Sequence, residues 1–170
     1  DNQASFIGSV SDVDNCMLIN VGTGSQISFS AKADSAPSGL EIRPCIGDSR
    51  LMVGSSLCGG RAFALLENFF RETAELVTGE KCSSAYKGID NFLENNAEPE
   101  NPVLFSTLFC GTRENPEERA SIENLGIDNF TPGHLVYGVM HGMANELSEM
   151  YKAGVSVCEK KPGQLIASGN

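Results

Sequence analysis

Three glycine-bearing segments hold the residue types with which this chain could bind an anionic ligand. In Asn20-Val21-Gly22-Thr23-Gly24-Ser25-Gln26, two glycines flank a threonine between two strand-like runs. A turn of that kind exposes backbone N–H groups, which form a concavity able to cradle phosphate, and the Thr23 and Ser25 hydroxyls can add donors. The segment has no following Gly-Lys-Ser/Thr, so it is not a Walker loop, and a strand rather than a helix follows, so it is not a dinucleotide fingerprint. A plain hairpin turn fits it equally. The second segment, Ser56-Leu57-Cys58-Gly59-Gly60, opens a helix. A helix N-terminus favours negative charge, and two glycines admit a close approach; a tight strand-to-helix turn would look the same. The third, Phe109-Cys110-Gly111-Thr112-Arg113-Glu114-Asn115-Pro116, is a strand end, a glycine turn and an arginine. Open α/β sheets place ligand contacts there, although a surface loop with a solvated arginine is the alternative.

Other candidate groups are weaker. Asp1-Asn2-Gln3-Ala4 sets an acidic residue at a helix start, ordinarily a cap. His134 and His141 are the two histidines, seven apart on one helix, and read as packing or surface residues. No Ser/His/Asp or Cys/His constellation stands out. Six cysteines (Cys16, Cys45, Cys58, Cys82, Cys110, Cys158) are scattered without a C-x-x-C pair, which argues against zinc or another protein-held metal. Their apolar or small neighbours suggest reduced thiols and a cytoplasmic protein.

The elements that must position these segments follow from periodicity. Cys16–Val21 and Ser25–Phe29 read as a hairpin, Leu40–Pro44 and Arg50–Ser55 as further strands, and Ser5–Ser11 as the tail of a helix. Phe63, Leu66, Phe69, Phe70, Leu76 and Val77 share one face of a helix over about Arg61–Val77, with Gly79 as C-cap. Ser83–Asn95 is a second helix, with Tyr86, Ile89, Phe92 and Leu93 inward. Val103–Phe109 is an apolar run of the kind expected for a strand covered on both faces. Cys110–Phe130 is a long polar connection of the sort usually kept for function. Thr131-Pro132 caps a helix of about 20 residues ending at Gly154, with Gly138 and Gly142 permitting close packing. Gln164–Ala167 is a last strand. The alternation predicts a single α/β domain over residues 1–170 with partly parallel pairing.

Composition bounds the partners. With 12 basic and 22 acidic residues the net charge is −10, against a nucleic-acid surface. No stretch approaches the roughly 18 apolar residues of a membrane helix, so no membrane partner is expected. The ends, an initial Asp1 and a final Gly169-Asn170 straight after an apolar run, read as cut from a longer protein.

The segments occur in an order that resembles the FGGY carbohydrate kinase family, its sedoheptulokinase-like and xylulokinase-like members in particular, nearly end to end. Asp1-Asn2-Gln3-Ala4 resembles the family's Gly-Asp-Gln-Gln-Ala segment, Val21–Ser25 its phosphate-binding hairpin, and Ser56–Gly60 its nucleotide turn. Gly111–Pro116 resembles its Gly-Glu-Arg-x-Pro stretch, and Ala167–Asn170 the start of its adenosine loop. The chain departs from the pattern at Asn124, where the family has glycine, near His141, where it has an acidic residue, at Thr112 in place of Glu, and at Ala64.

The resemblance implies a ribonuclease H-like domain of actin/hexokinase type, with a mixed sheet flanked by helices. It would be the C-terminal nucleotide-binding domain of a two-domain enzyme whose N-terminal sugar-binding domain precedes Asp1. ATP and Mg²⁺ would be required, and a sugar or polyol hydroxyl would be phosphorylated. Asp1 would be the catalytic base. Gly22, Thr23, Gly24 and Ser25 would hold the phosphates. Gly59, Gly60, Gly111 and Gly169 would complete the cofactor site, with no protein metal ligand. A homodimer is possible on this reading. The alternative is a non-catalytic sugar- or nucleotide-sensing protein on the same fold.

Overall fold

The structure is a computed structural model and describes residues 2–169. Asp1 and Asn170 lie outside the described residues. In chain order the elements are α1 (Asn2–Ser9), β1 (Cys16–Val21), β2 (Ser25–Ser30), β3 (Leu40–Pro44), β4 (Arg50–Ser56), α2 (Gly59–Thr78), α3 (Tyr86–Asn95), β5 (Leu104–Phe105), β6 (Ile122–Glu123), α4 (Pro132–Val155) and β7 (Gln164–Gly169).

The described residues form a mixed sheet in the order β3-β4-β2-β1-β7. β1 pairs antiparallel with β2, and β7 runs parallel to β1 with Val21 opposite Gly169. Alternation along each strand separates two faces. On one, Leu18, Leu51 and Val53 pack on Phe6 of α1. On the other, Ile27, Phe29 and Met52 pack on Leu147 and Val155 of α4. A third cluster joins Ala62 and Leu66 of α2, Ile89 of α3, and Leu135, Val136 and Val139 of α4. Each helix therefore has its apolar stripe on a defined surface.

Local signals explain the ends. Thr131 caps α4 by accepting the His134 N–H at 3.4 Å, with Pro132 in the first turn. Gly79 closes α2 in the left-handed region, at φ 73°. Glu67, buried at 8% exposure, accepts the Ala85 N–H at 2.7 Å and so caps the start of α3 from a neighbouring helix.

Several expectations change. The apolar run Val103–Phe109 is not a strand of the main sheet; only Leu104–Phe105 is extended, in a two-residue ribbon with β6. Its apolarity serves packing on α4. A Cβ at Gly138 would stand 2.6 Å from Val103 Cγ2, and one at Gly142 2.4 Å from the Phe105 carbonyl oxygen. Both glycines thus do permit close packing, of this segment. α2 starts two residues earlier than the pattern suggests. Its apolar stripe is buried only in its first half: Ala62 and Leu66 join the cluster with α3 and α4, whereas Leu76 and Val77, outside that cluster, are 85% and 78% exposed. α1 covers Asn2–Ser9, α4 reaches Val155, and β7 reaches Gly169.

Gly142→Ala forces a methyl group onto the Phe105 carbonyl and is expected to destabilise the chain by about 1–3 kcal/mol, as overpacking does. Leu76→Ser, on the exposed turn, is expected to stay within about 0.5 kcal/mol of the parent. Urea unfolding monitored by circular dichroism checks both.

Candidate functional site

The hairpin turn Gly22–Gly24 sits directly on the first turn of α2. The Gly60 N–H donates to the Gly22 carbonyl at 2.8 Å, and the Arg61 N–H to the Thr23 carbonyl at 3.1 Å. The first N–H groups of a helix have no partner within it; here the hairpin supplies two. Neither Gly59 nor Gly60 can carry a side chain. A Cβ at Gly60 would lie 2.5 Å from the Gly22 oxygen, and one at Gly59 1.9 Å from Ser25 Oγ and 2.6 Å from Gly24 backbone. The close approach foreseen for a ligand at this pair is made by the hairpin backbone itself.

Other donors remain available. The Gly22 N–H is taken by the Gly24 carbonyl at 2.9 Å, but among the described residues no backbone bond takes up the N–H of Thr23 or Gly24. Thr23 is exposed at the tip. Beside it lies a cleft of about 420 Å³ lined by Val21, Gly22, Thr23, Gly60, Arg61 and Ala64. Its charged residue is Arg61, exposed on the first turn of α2 where the helix dipole is positive. The arrangement is a small cationic concavity with free N–H donors, suited to an oxyanion.

Ser25 stands differently. It is 2% exposed, and its Oγ is buried without a hydrogen-bond partner among the described residues. Ser25 and Gly24 border a second cavity of about 340 Å³ on the α1 face, with Asn2, Ser5, Asn20, Gln26, Ser28, Ser55 and Arg113. A polar ladder fixes α1 over it: the Asn2 amide donates to Gln26 Oε1 at 2.7 Å and Ser28 Oγ at 3.0 Å, and Gln26 Nε2 donates to Ser55 Oγ at 3.2 Å. The start of α1 is thereby held against the amino-terminal half of β2.

The third segment meets the same end of the sheet. Gly111 turns at φ 66°, and a Cβ there would meet the Asn115 and Pro116 carbonyls at 2.7 Å. Cys110, just before it, accepts a contact from Arg61 Nη1 at 3.7 Å. Arg113 pairs with Glu41 of β3 at 2.5 Å. The Glu41 carboxyl is held below its ordinary range, chiefly by the hydrogen bond from Arg43, with the positive charges of Arg43 and Arg113 assisting against partial burial. Ser38 and the Gly39 N–H bind Glu114. The loop is thus tied to the sheet edge through both Arg113 and Glu114.

Gly169 lies opposite Val21, where a Cβ would fall 2.2 Å from the Val21 oxygen. The structure therefore gathers Gly22–Ser25, Gly59–Gly60, Gly111 and Gly169 at one end of the sheet, beyond the carboxyl ends of β1 and β7. Open α/β sheets bind ligands there. Asp1, the remaining candidate, lies outside the described residues, directly before Asn2.

Arg61 is the residue that sequence reasoning passed over. An arginine immediately after Gly-Gly at a helix start in a strongly acidic chain was a signal for it. His134 is structural, with Nδ1 2.8 Å from Thr131 Oγ1 and Nε2 3.0 Å from the Glu100 carbonyl. His141 pairs with Glu98 at 3.1 Å on the surface. Asn124 adopts φ 60°, the left-handed region that favours glycine, and its amide donates to the Pro102 carbonyl at 2.9 Å. Among the described residues no cluster of three or more His, Cys, Asp or Glu could hold a metal ion, and no helix is long and apolar enough to cross a membrane.

No protein-family model matches the chain, and no curated protein matches it. Solved structures do. A xylulose kinase from Brucella ovis superposes with TM-score 0.76 at 17% identity, over 100% of this chain and 34% of that one. A xylulose kinase from Bifidobacterium adolescentis gives 0.75 at 12% identity, over 99% and 31%. Plasmodium falciparum glycerol kinase, solved with ADP, gives 0.72 at 20% identity, over 100% and 33%. The chain spans about a third of the length of these structures. At such identities the likeness establishes the fold: a ribonuclease H-like domain of actin/hexokinase type, shared with carbohydrate kinases, as the motifs implied.

Ser25 carries the testable consequence of this geometry. Removing a buried hydroxyl that has no partner relieves a desolvation cost of about 1–3 kcal/mol. Ser25→Ala is expected to leave the ligand-free chain as stable as the parent or more stable, by thermal and urea unfolding. A clear loss of stability would mean that the hydroxyl is satisfied.

Proposed function

We propose that this chain is the nucleotide-side domain of a carbohydrate kinase of the FGGY type, in which the ATP γ-phosphoryl group passes to a sugar or polyol hydroxyl. The observation that carries this reading is the hairpin docked on α2. It leaves the Thr23 N–H, in the cleft with Arg61, and the neighbouring Gly24 N–H without a backbone partner among the described residues, on a fold shared with sugar kinases, one of them solved with ADP.

The roles follow from position. Thr23 and Gly24 donate backbone N–H groups to the polyphosphate, and the Thr23 hydroxyl adds a third donor. Arg61 supplies the positive charge that an otherwise acidic chain lacks there. Gly22 and Gly60 shape the wall of the cleft, with Gly169 beyond it beside Val21, and Gly111 shapes the turn whose preceding Cys110 meets Arg61. The orphaned Ser25 hydroxyl, under Gly59, is the buried donor of the set. Mg²⁺ fits as an ion that comes with the nucleotide. The cleft presents no carboxylate, and hard divalent ions are satisfied by phosphate and water oxygens. When bound, it would neutralise charge on the transferred group.

Asp1 is the proposed base. Its carboxylate accepts the proton of the substrate hydroxyl. Asn2, the next residue, is fastened to Gln26 and Ser28, which brings the start of α1 to the polar cavity of the other sheet face. The sugar contacts belong to an N-terminal domain, whose closure over the cleft excludes water and protects ATP from hydrolysis. A cytoplasmic setting agrees with six free cysteines.

In the full-length enzyme, assayed against a panel of ketoses, aldoses and polyols, a phosphorylated product is expected from at least one compound. Asp1→Asn is expected to lower kcat by about 10²–10⁴ while ATP affinity is unchanged. ATP binding without any phosphorylated product across a broad panel would shift the reading to a nucleotide or sugar sensor. Undiminished turnover in Asp1→Asn would remove Asp1 as the base. Separately, Arg61→Ala is expected to weaken ATP about tenfold or more, the weight of one or two charge-assisted hydrogen bonds, and to leave adenosine unaffected in calorimetric titration.

A further inference from the structure

Two thiols lie close to Arg61, which lines the cleft, and have no part in the chemistry above. Cys58 is the N-cap residue of α2, directly before Gly59 and Gly60, and is 2% exposed. Cys110 directly precedes the Gly111 turn and is partly exposed. Cys58 and Arg61 are three positions apart at a helix start and so share a face; Arg61 Nη1 reaches Cys110 Sγ at 3.7 Å from that face. Cys110 packs on the buried cluster that contains Cys58. Burial first, and the neighbouring Cys110 thiol second, push the Cys58 thiol up to about 11.

Both thiols are presented by backbone with little freedom. The start of α2 is pinned by the hairpin through Gly60 and Arg61, and Cys110 by the tight Gly111 turn. The other cysteines are placed differently. Cys16 lies at 3.5 Å from Gln164 Oε1, Cys82 at 3.6 Å from the Ser84 carbonyl, and Cys158 at 3.3 Å from the Gly154 carbonyl. Cys45 packs in the α1-face cluster, away from the other thiols.

We propose that Cys58 and Cys110 form a redox-sensitive pair, which a hydroperoxide converts to a disulfide tying the first turn of α2 to the Gly111 turn. The accessible Cys110 reacts first. Its sulfur attacks a peroxide oxygen, the O–O bond breaks, and the second oxygen leaves as water (or an alcohol) with the thiol proton, giving a sulfenic acid. The Cys58 sulfur then attacks the Cys110 sulfur. The S–O bond breaks, and the hydroxyl leaves as water with the Cys58 proton. Two electrons pass from the two thiols to the peroxide. Cys58, at 2% exposure, is closed to the peroxide and is therefore the thiol that resolves the sulfenic acid formed on the more accessible Cys110. The link joins the first turn of α2 to the Gly111 turn and displaces the Arg61 contact with the Cys110 thiol. Its effect on nucleotide affinity rests on the function proposed above; its formation does not.

The test is treatment of the protein with stoichiometric hydrogen peroxide, followed by intact-mass and peptide mapping. The expected product has lost two hydrogens, carries a Cys58–Cys110 cross-linked peptide, and is restored by dithiothreitol. Cys58→Ala is expected to stop at a sulfenic acid on Cys110, trapped by dimedone, and Cys110→Ser to abolish the cross-link. A disulfide between other cysteines, or oxidation of Cys110 to sulfinic or sulfonic acid with Cys58 still alkylatable in the wild-type protein, would overturn the proposal.

Discussion

The contact on which the site depends is the docking of the β1–β2 turn against the first turn of α2. Two carbonyls of the hairpin, from Gly22 and Thr23, accept the N–H groups of Gly60 and Arg61. That exchange satisfies helix donors that would otherwise need a cap or water, and Cys58, the N-cap residue, provides no side-chain bond of its own. It is possible only because Gly59 and Gly60 have no Cβ; either methyl group would lie within van der Waals contact of the hairpin backbone. With the Gly22 and Thr23 carbonyls engaged by the helix, the Thr23 and Gly24 N–H groups have no backbone partner among the described residues.

The sheet beneath is built to hold that contact still. Its α4 face is apolar, with Ile27, Phe29 and Met52 packed on Leu147 and Val155. Its α1 face is apolar toward the middle and polar toward the site: Leu18, Leu51 and Val53 give way to Asn20, Gln26 and Ser55. The change happens along the same strands, so the rigid half of each strand positions its functional half. α4 contributes at a distance. Its glycines allow Val103 and Phe105 to lie close against it, and this fixes the segment that leads to Cys110, where Arg61 makes its contact.

Much of this was legible in the residues. The Gly-Thr-Gly turn between two β-rich runs, the Gly-Gly before an amphipathic helix and the Thr-Pro start of α4 each specify local geometry through short-range physics, and each stands where expected. The apolar run at Val103–Phe109 misled because continuous apolarity reports burial and not the partner: α4 covers it, and the main sheet does not. Leu76 and Val77 misled similarly, since period alone cannot tell where a helix outlasts its neighbours. The glycine pair at α2 reads in the sequence as a place where a ligand comes close or as a tight strand-to-helix turn; the group that comes close is the hairpin backbone, which only tertiary structure can tell. Arg61 and the Cys58–Cys110 pair escaped because each matters through a partner about fifty residues away in sequence, brought close by the fold.

The account centres on the hairpin–helix junction as the polyphosphate site. Backbone amide NMR during titration with MgATP, with adenosine as the control, examines that junction residue by residue. The largest shifts are expected at Thr23, Gly24, Gly60 and Arg61 with MgATP, and these are expected to be nearly absent with adenosine. MgATP shifts confined to the other cavities, or shifts at the junction that adenosine reproduces in full, would contradict it.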